Sequence, residues 1–520
     1  MSITNNAQLA KEVGKYLYSH GVPEAFADYL KARRWFRRKS ETIKNIIFRD
    51  YAVLSEDPIE ILTLIEIYYE NFHSEVYYFP IMVQTKSIMP EKFETILEIS
   101  VDDNYVSLYD AFSDIRFCSG LLKLIRQRKQ VKSLCGVFSF YPMDILKQGQ
   151  YDVPEEKIKL LSTEQSNTSI MYGKSLIMKN FRSIEYGLNP DFEITHFLTK
   201  QTELKNVPAL MGYIEYQNQD KLIATAAVLQ EYITNKGDCW NYTLIQLEQI
   251  LRTAMRNICI YKDDQIKQII KDFSKDFISE SFRLGEITGA FHKALTTNLD
   301  DDSFKAENVS NEDIDSWMCF MVTSADAILD KINKNLSSYS PEVQERALEI
   351  LSKKSILIAL LKNIENLRSC QQKKIRIHGD YHLGQVLKTE NDFVILDFEG
   401  EPIRTLEERR AKLLPHKDIA GMLRSFNYAK CTCLYELPGI AEEELNILKK
   451  WADFWEEFVC EAFLEGYLSV MRDEFDDINT FNSVLEAFMI DKAIYELDYE
   501  INNRPDWLKI PVAYLKTVVT

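Results

Sequence analysis

The stretch that decides the fold is HGDYHLGQ, residues His378–Gln385, followed by VILDFEGEP, residues Val394–Pro402. Its pattern predicts an apolar strand, a short polar loop that holds Asp380, and a second apolar strand that ends at Asp397. Gln385 lies five residues after Asp380, and Asp397 lies seventeen residues after it. The segment therefore brings two carboxylates and an amide to the ends of one hairpin.

These residue types suit phosphoryl transfer, which needs a carboxylate beside the accepting hydroxyl, oxygen ligands for Mg²⁺ and a cationic grip on the phosphates. We predict Asp380 as the catalytic base and Gln385 and Asp397 as metal ligands. Glu399 follows Asp397 by two residues on the same face of a strand, and it is a further candidate to aid the metal or shape the pocket.

The order H-G-D, amide, D-F-E resembles the catalytic segment of protein kinases. It is more similar still to the HGD-x-H segment of aminoglycoside and choline kinases. A zinc site at His378 and His382 is the competing interpretation. HxxxH binds zinc when it lies on a helix, and Gly379 with its strand-like surroundings argues against a helix here.

The phosphate grip is expected upstream, where the sequence alternates between β-branched and polar residues. Lys179 ends an apolar strand and matches the strand lysine that holds the α- and β-phosphates of ATP in kinases. A helix start follows at Asn189, with Pro190 at its first position. Glu193 in its first turn is the predicted partner of Lys179. Alternatively, Lys179 is an ordinary solvated surface lysine.

Two further segments complete the predicted ATP site. The loop before Lys179 has no glycine, but hydroxyls and backbone N–H groups there can bond phosphate oxygens. The segment LQEYI, 229–233, would be the hinge that meets adenine through its backbone. The predicted ATP residues in these segments are Ser166, Asn167, Thr168, Ser169, Glu231 and Ile233.

Composition narrows the class of partner. The formal net charge is −17, which argues against nucleic acid or an anionic membrane as the main partner. The basic run at 33–39 would instead favour a nucleic-acid partner, but the net charge opposes this interpretation. The nine cysteines are scattered, as in a reducing cytosol, and neither a signal peptide nor a membrane-spanning stretch is evident. We expect a cytoplasmic protein.

The resemblance becomes specific when more segments are combined. EQSNTS, NPDFEITHFL, the QEYI…GDCW junction, HGDYHLGQVL, DFEGEP, LEERRAK, KDIAGMLRSFNYA and YELDYEINNRPDWLKIP together resemble maltokinases. This implies an α+β, bilobal protein-kinase-like fold. The resemblance implies an N-terminal cap subdomain at 1–100, an N-lobe with ATP-binding elements at 101–235, and a mostly helical C-lobe at 236–520.

The resemblance also implies a function. Maltokinases transfer phosphate from ATP, with Mg²⁺, to maltose, giving maltose 1-phosphate for glycogen-type α-glucan metabolism. It makes a trehalose synthase a candidate partner. Three places depart from the family pattern: the basic 33–39 stretch, Asn427 where Asp is expected, and the length of the chain.

The sugar site is expected on the helix predicted within 491–507. Lys492, Tyr495, Glu496 and Tyr499 fall at i, i+3, i+4 and i+7, hence on one face. Such a face suits hydroxyl recognition and stacking on a sugar ring, although it is also consistent with a solvated face. His382 is a further predicted substrate residue. Asp418 and Arg424 are interpreted as a structural ion pair.

Two alternatives remain open at this point. One is a related sugar or aminosugar kinase, for example a glucosamine kinase. The other is a pseudokinase that binds nucleotide as a scaffold, although Lys179, Glu193, Asp380, Gln385 and Asp397 are all present. ADP release with a panel of sugars separates the three readings.

Overall fold

The computed structural model describes residues 6–19, 24–71, 73–85, 93–101, 104–148, 151, 153–161, 167–256, 262–296, 301–437 and 442–520. The chain forms two compact units. The first consists of 1–199 and 208–234, and the second of 200–207 and 235–520. Strands dominate the first unit and helices the second, so the predicted α+β class is confirmed.

The first unit contains five helices and fourteen strands among its described residues. Helices α1 to α5 are Asn6–Ser19, Glu24–Ala32, Ile115–Arg126, Asp144–Gln148 and Pro190–Gln201. Strands β1 to β14 are Ile43–Glu56, Ile59–Tyr69, Ser74–Tyr78, Ile81–Thr85, Leu97–Val101, Asn104–Asp110, Gln130–Lys132, Gly136–Pro142, Ile158–Leu161, Asn167–Tyr172, Leu176–Phe181, Ser183–Ile184, Leu210–Asn218 and Ile223–Glu231.

The strands form two antiparallel sheets in the described part of this unit. In one, the order is β12-β3-β2-β4-β6-β5, with β1 beside β2; in the other it is β7-β8-β13-β14-β11-β10-β9. Strand β2 shows why both faces of the first sheet are covered. Ile61 and Ile65 pack into a core with helix α1, whereas Leu62 and Leu64 belong to a core with strands of the second sheet. Alternate residues of a strand point to opposite faces, so β2 is buried on both.

Helix α5 begins where the sequence predicted. The Asn189 side chain accepts a hydrogen bond from the Asp191 backbone N–H at 2.8 Å, and Pro190 is the first helical residue. Pro190 needs no N–H partner at this position. The helix start therefore places Asp191 and Glu193 in the first turn, after strand β11.

The second unit contains eleven helices and four short strands among its described residues. Helices α6 to α16 are Cys239–Arg256, Asp263–Phe273, Lys275–Ala294, Asn311–Lys334, Pro341–Ser352, Lys354–Leu361, Leu406–Arg410, His416–Tyr435, Glu442–Met471, Ile478–Asn503 and Lys509–Val519. Strands β15 to β18 are Glu307–Asn308, Lys373–Lys374, Val386–Lys388 and Phe393–Ile395.

The predicted hairpin is present as β17 and β18, which pair antiparallel. The strand predicted to lead into Asp380 is not. Ile375 makes a single bridge to Leu413, and the chain then runs as an irregular loop over buried helix α13. The apolar run IRI is buried because it packs under this loop, and burial alone does not make a strand.

The predicted surface loop at 296–313 is shorter than expected. Its described part, from residue 301, contains β15, and helix α9 begins at Asn311. Ser310 caps that helix by accepting a hydrogen bond from the Asp313 backbone N–H at 3.1 Å. Residues 297–300 lie outside the described residues.

Two observations concern partner classes. In the basic run at 33–39, Arg33 contacts Glu94 at 2.8 Å and Arg38 contacts Glu75 at 2.6 Å, so two of its charges are balanced within the chain. Among the described helices, none combines the length and apolar character needed to cross a bilayer.

Candidate active site

The loop that carries Asp380 is held by one buried carboxylate. Asp418, on helix α13, accepts hydrogen bonds from the backbone N–H of His378 at 2.7 Å and of Gly379 at 2.9 Å. Its third partner is His292 Nε2 at 3.0 Å. Burial raises the pKa of Asp418, but His292 and the loop N–H groups outweigh that effect and lower it. Asp418 therefore stays ionised and fixes the loop.

His378 secures the other side of the loop. Its Nε2 lies 2.9 Å from the backbone oxygen of Leu396, and its Nδ1 lies 3.4 Å from the Asp380 backbone N–H. A carbonyl can only accept, so Nε2 carries the proton and Nδ1 accepts. His378 thus ties the loop to the segment that leads into Asp397. This is a structural role, and it leaves no ring nitrogen for zinc.

Glycines allow the loop to lie directly on helix α13. Gly379 has φ +84°, a conformation that glycine adopts without strain. Gly421 faces the backbone of Tyr381, and a Cβ at position 421 would collide with the Tyr381 carbonyl oxygen. The close contact of helix and loop therefore depends on the missing side chain at 421.

Asp380 faces Lys492 of helix α15. Lys492 Nζ lies 3.7 Å from Asp380 Oδ1 and 3.3 Å from Glu401 Oε1. Burial disfavours the charged amine, but Glu401 and Asp380 outweigh burial and raise the pKa of Lys492. The lysine is therefore a fixed cation beside the Asp380 carboxylate.

Glu401 is the centre of this charge cluster. It is buried and contacts Lys417, Lys492 and Arg404, each at 3.3 Å. Burial acts to raise its pKa, but Lys417, Lys492 and Arg404 lower it to about 2. Glu401 therefore keeps its charge across the physiological range and holds three cations around the floor of the site.

Oxygen ligands suitable for Mg²⁺ lie beside the hairpin. Gln385 Nε2 donates to Asp397 Oδ2 at 3.2 Å, and carboxylate oxygens of Asp397 and Glu399 lie within 4.8 Å of each other. Asp397 has φ +65°, which turns its side chain away from the strand direction at a sterically costly conformation. The amide oxygen and two carboxylates are of the kind that a hard cation prefers, and the role of all three as metal ligands remains a prediction.

A cavity of about 300 Å³ opens at Asp380 and is here called the acceptor cavity. Helices α9, α13 and α15 and the segment 400–408 supply its walls. Its charged lining residues are Asp380, Glu401, Arg404, Glu408, Lys417, Asp491, Lys492 and Asp498, and its other lining residues include Phe320, Tyr381, Ile403, Phe488 and Tyr495. Carboxylates outnumber cations in this wall.

Asp491 differs from the other carboxylates of the cavity. Among the residues that the structure describes, none forms a hydrogen bond or ion pair with it, whereas Glu401 and Asp498 have lysine partners. Burial is the main reason that its pKa is raised to about 6. A carboxylate of this kind, facing a cavity, is suited to a cationic ligand.

The predicted sugar-binding face of α15 is only partly in the cavity. Lys492 and Tyr495 line it. Tyr499 is 43% exposed, is absent from the lining, and stacks on Tyr495 with ring centroids 6.5 Å apart. Glu496 lies on the side of the helix that faces α13. A helical period of 3.6 residues identifies only a broad face of α15. In the structure, part of that face lines the cavity and part packs against a neighbouring helix.

The interpretation of Asp418 and Arg424 as an ion pair is wrong. Arg424 is buried and donates from Nε and Nη2 to Glu496 Oε2, at 3.0 and 2.5 Å. Asp418 instead holds the Asp380 loop. Two charges six residues apart on one helix point in different directions, so each finds its partner on a different neighbour. Glu496 accordingly serves helix packing.

His382 also departs from the prediction. Its Nδ1 accepts a hydrogen bond from the Gly384 backbone N–H at 3.0 Å, and it is absent from the lining of the acceptor cavity. Burial lowers the pKa of His382, which keeps the ring neutral and able to accept. The residue caps the short turn that leads to Gln385.

In the first unit, the predicted phosphate lysine has a buried partner. Lys179 Nζ lies 3.1 Å from Asp191 Oδ2, in the same helical turn as the predicted partner Glu193. Both Asp191 and Glu193 are buried. The spacing of strand and helix predicted an acidic partner in this turn, and the structure adds Asp191, which sequence reasoning missed.

The predicted phosphate loop is largely a strand. Asn167, Thr168 and Ser169 begin β10 and are buried, and Arg182 Nε donates to Thr168 Oγ1 at 2.7 Å. The Thr168 hydroxyl thus accepts a hydrogen bond from the buried Arg182, and phosphate binding by Asn167, Thr168 and Ser169 remains a prediction. Ser166 lies outside the described residues.

The hinge prediction concerns the end of strand β14. Glu231 is its last residue, and its N–H donates to the Ala209 carbonyl at 2.9 Å. The Tyr232 N–H donates to Ser175 O at 2.9 Å. These bonds hold the segment in the sheet of the first unit. The adenine contact proposed for Glu231 and Ile233 remains a prediction.

Sequence reasoning missed several residues of the acceptor cavity. Asp491 precedes Lys492 directly, and its apolar-helix context gave no reason to single it out. The helix α9 residue Phe320 lies in the region of the chain with the least recognisable sequence. Glu401 was noted as part of the DFEGEP motif, but its role as a charge centre required its distant partners.

The similarity of this chain to known proteins in sequence is limited to short segments. No protein-family model matches the chain. The glucosamine kinase of Streptacidiphilus jiangxiensis is 23% identical over 142 residues, which are 26% of this chain and 30% of that protein. The glucosamine kinase of Mycolicibacterium smegmatis is 28% identical over 144 residues, 27% of this chain and 34% of that protein. The matched segments thus span about a third of these relatives.

Solved structures match over a much larger extent. A glucosamine kinase in complex with glucosamine, ADP and inorganic phosphate aligns with a TM-score of 0.63 at 13% identity, covering 98% of this chain and 99% of that chain. A second crystal form of glucosamine kinase gives 0.64 at 13% identity, covering 97% and 99%. The predicted kinase-like fold is therefore confirmed.

Proposed function

We propose that the protein is an ATP-dependent kinase that phosphorylates an aminosugar of the glucosamine type. The observation that carries the proposal is the acceptor cavity, in which Asp380 and the unpartnered Asp491 line one small, carboxylate-rich space. Asp380 suits the accepting hydroxyl and Asp491 suits an ammonium group. The similarity to glucosamine kinases supports the same acceptor class.

The chain's own groups supply the chemistry of transfer. Asp380, fixed by the Asp418 clamp and by Lys492, orients the sugar hydroxyl and accepts its proton as the bond to phosphorus forms. Mg²⁺ held by Gln385, Asp397 and Glu399 would neutralise charge on the transferred phosphate. Lys179, paired with Asp191, is proposed to hold the ATP phosphates, as the strand lysine does in kinases.

Maltose phosphorylation is the competing specificity, implied by the resemblance to maltokinases. Maltose carries no amine, so it offers Asp491 no counter-charge. Leaving a partly buried, unpaired carboxylate against a neutral sugar is costly, and this favours the aminosugar. A maltose 1-phosphate product, and with it a link to glycogen metabolism or to trehalose synthase, belongs to this second reading.

The test is ADP release from ATP·Mg²⁺ with glucosamine, glucose and maltose. We expect the highest kcat/KM with glucosamine. Asp491→Asn should raise the KM for glucosamine about tenfold, because a charge-assisted hydrogen bond contributes about 1.5–3 kcal/mol. The KM for glucose should change little.

Asp498→Asn is the matched control, since Asp498 lines the same cavity but contacts Lys331 at 2.7 Å. It should leave the preference for glucosamine intact. Faster turnover of maltose than of glucosamine, unaffected by Asp491→Asn, would contradict the proposal and favour a maltokinase. No ADP with any sugar would favour a nucleotide-binding scaffold.

A further inference from the structure

A second cavity of about 280 Å³ lies beside the acceptor cavity, also within the helical unit. We call it the aromatic cavity. It shares Phe320, Glu401, Arg404 and Asp491 with the acceptor cavity, among other residues. The lining that belongs to it alone includes Ser316, Trp317, Met321, Ile377, Arg409 and Leu413. The two cavities therefore adjoin.

Arg404 forms the boundary between the two cavities. Its Nε lies 3.3 Å from Glu401 and its Nη1 lies 3.5 Å from Glu408. Its guanidinium carbon lies 4.6 Å from the centroid of the Phe320 ring. The long Arg404 side chain lines both cavities. Its planar guanidinium group contacts two carboxylates and lies against the Phe320 ring.

Aromatic side chains line both cavities, and Trp317 belongs to the aromatic cavity alone. Trp317 and Phe320 lie three residues apart on helix α9 and so share one face of it. Phe320 is 45% exposed, and Ile403 at the mouth of the acceptor cavity is 75% exposed. Exposed apolar side chains grouped at a cavity mark a binding surface, and aromatic faces suit the apolar face of a sugar ring.

The volumes of the two cavities also support a binding role for the aromatic cavity. Each cavity by itself is at or below the lower end of the range for ligand pockets. One of them accommodates a small ligand beside Asp380 and Asp491. The adjoining cavity then offers room for a group attached to that ligand, bordered by Arg404 as a hydrogen-bond donor and by aromatic side chains.

We propose that the aromatic cavity is a second acceptor subsite, which receives a further pyranose ring joined to the aminosugar at Asp380. The preferred acceptor would then be an amino-disaccharide rather than a free monosaccharide. This inference rests on the proposed function and extends it. It assigns helix α9 to acceptor selection, with Trp317 and Phe320 as the residues that contact the second ring.

Four acceptors separate the two features of the ligand: glucose, maltose, glucosamine and the 1,4-linked glucosamine dimer. For each, calorimetric binding and ADP release with ATP·Mg²⁺ are measured. Substitution of Asp491 should alter the response to the amine, and substitution of Trp317 the response to the second ring. We expect the dimer to bind about three- to tenfold more tightly than glucosamine, the range that one aromatic contact supplies.

Trp317→Ala should remove this advantage while leaving the affinity for glucosamine nearly unchanged, because Trp317 lines the aromatic cavity and not the acceptor cavity. Because Trp317 is only partly buried, its truncation should leave the fold intact. Phe273→Ala is the control, since Phe273 is an exposed aromatic residue of the same unit, 62% accessible, and lies outside both cavities. It should bind both acceptors as the wild type does.

Equal affinity for dimer and monomer, or an advantage that survives Trp317→Ala, would overturn the second subsite. Turnover of glucosamine in that case would leave the proposed function standing. If no acceptor releases ADP, the proposed function fails. Tighter binding of the dimer that is lost in Trp317→Ala would then still support the subsite, because binding is measured without turnover.

Discussion

The Asp380 loop and the wall of the acceptor cavity are both polar, but they are fixed by different means. The loop is held through its backbone: the carboxylate of Asp418 accepts two main-chain N–H groups. The wall is held through side chains, with Glu401 gathering Lys417, Lys492 and Arg404. A backbone clamp specifies one geometry regardless of the side chains nearby, whereas a side-chain cluster changes whenever one member changes.

The two ways of fixing residues correspond to two proposed roles, the transfer reaction at the loop and the choice of the acceptor at the cavity wall. Asp380, the proposed acceptor of the hydroxyl proton, belongs to the loop that Asp418 holds. The position of Asp380 is therefore independent of the ligand. The residues that would choose the acceptor, Asp491, Tyr495 and Phe320, lie on three turns of two helices around the charge cluster. A different acceptor could be selected by exchanging wall residues while the loop stays unchanged.

The largest effect is expected from Asp380→Asn, which removes the group that receives the proton. General-base catalysis contributes about 10²–10⁴-fold, so kcat should fall by at least about 10²-fold while ATP binding and the fold persist. Asp272→Asn, at an exposed position of helix α7, is the control. Near-normal turnover of Asp380→Asn would remove this residue from the mechanism and with it the role given to the loop.

A smaller effect is expected when the clamp itself is altered. In Asp418→Asn one acceptor oxygen becomes an amide that faces a donor, and an unsatisfied buried group costs about 1–3 kcal/mol. Both stability in urea and kcat should fall, because the loop loses its fixed position. The KM for ATP should change little.

Glu496→Gln sharpens this comparison. It weakens the buried pair with Arg424, whose disruption is costly, so the free energy of unfolding should fall. The Asp380 loop keeps its hydrogen bonds, so kcat of the folded enzyme should stay near the wild-type value. A greater loss of kcat in Glu496→Gln than in Asp418→Asn would restore Glu496 to the sugar site.

The smallest effect concerns pH. Burial and the charge of Glu401 raise the pKa of Asp491, while Lys417, Arg404 and Lys492 oppose them, giving about 6. Below that pH Asp491 becomes protonated and loses its attraction for an ammonium group, so affinity for glucosamine should fall several-fold from pH 7 to pH 5.

Calorimetric titrations with glucosamine and with glucose measure the difference. Affinity for glucose should depend much less on pH, and Asp491→Asn should flatten the glucosamine profile. A profile that keeps its slope in Asp491→Asn would assign the titration to another group.

Local sequence was sufficient wherever the determinants lie within a few residues. Asn189 and Pro190 fixed the start of helix α5, because a cap is made by its own neighbours. The spacing from Asp380 to Gln385 and Asp397 predicted the two ends of the hairpin, since a tight turn leaves few conformations to the chain.

Only the tertiary structure decided which distant charges meet. Glu496 lies 72 residues from Arg424, and Lys492 lies 91 residues from Glu401. Helical periodicity placed Lys492, Tyr495, Glu496 and Tyr499 on one face, but it carries no information on what that face meets. Packing against α13 turned Glu496 into the core, where Arg424 is its partner, because a buried charge is stable only where the fold brings a partner. The same packing left Asp491 facing the cavity.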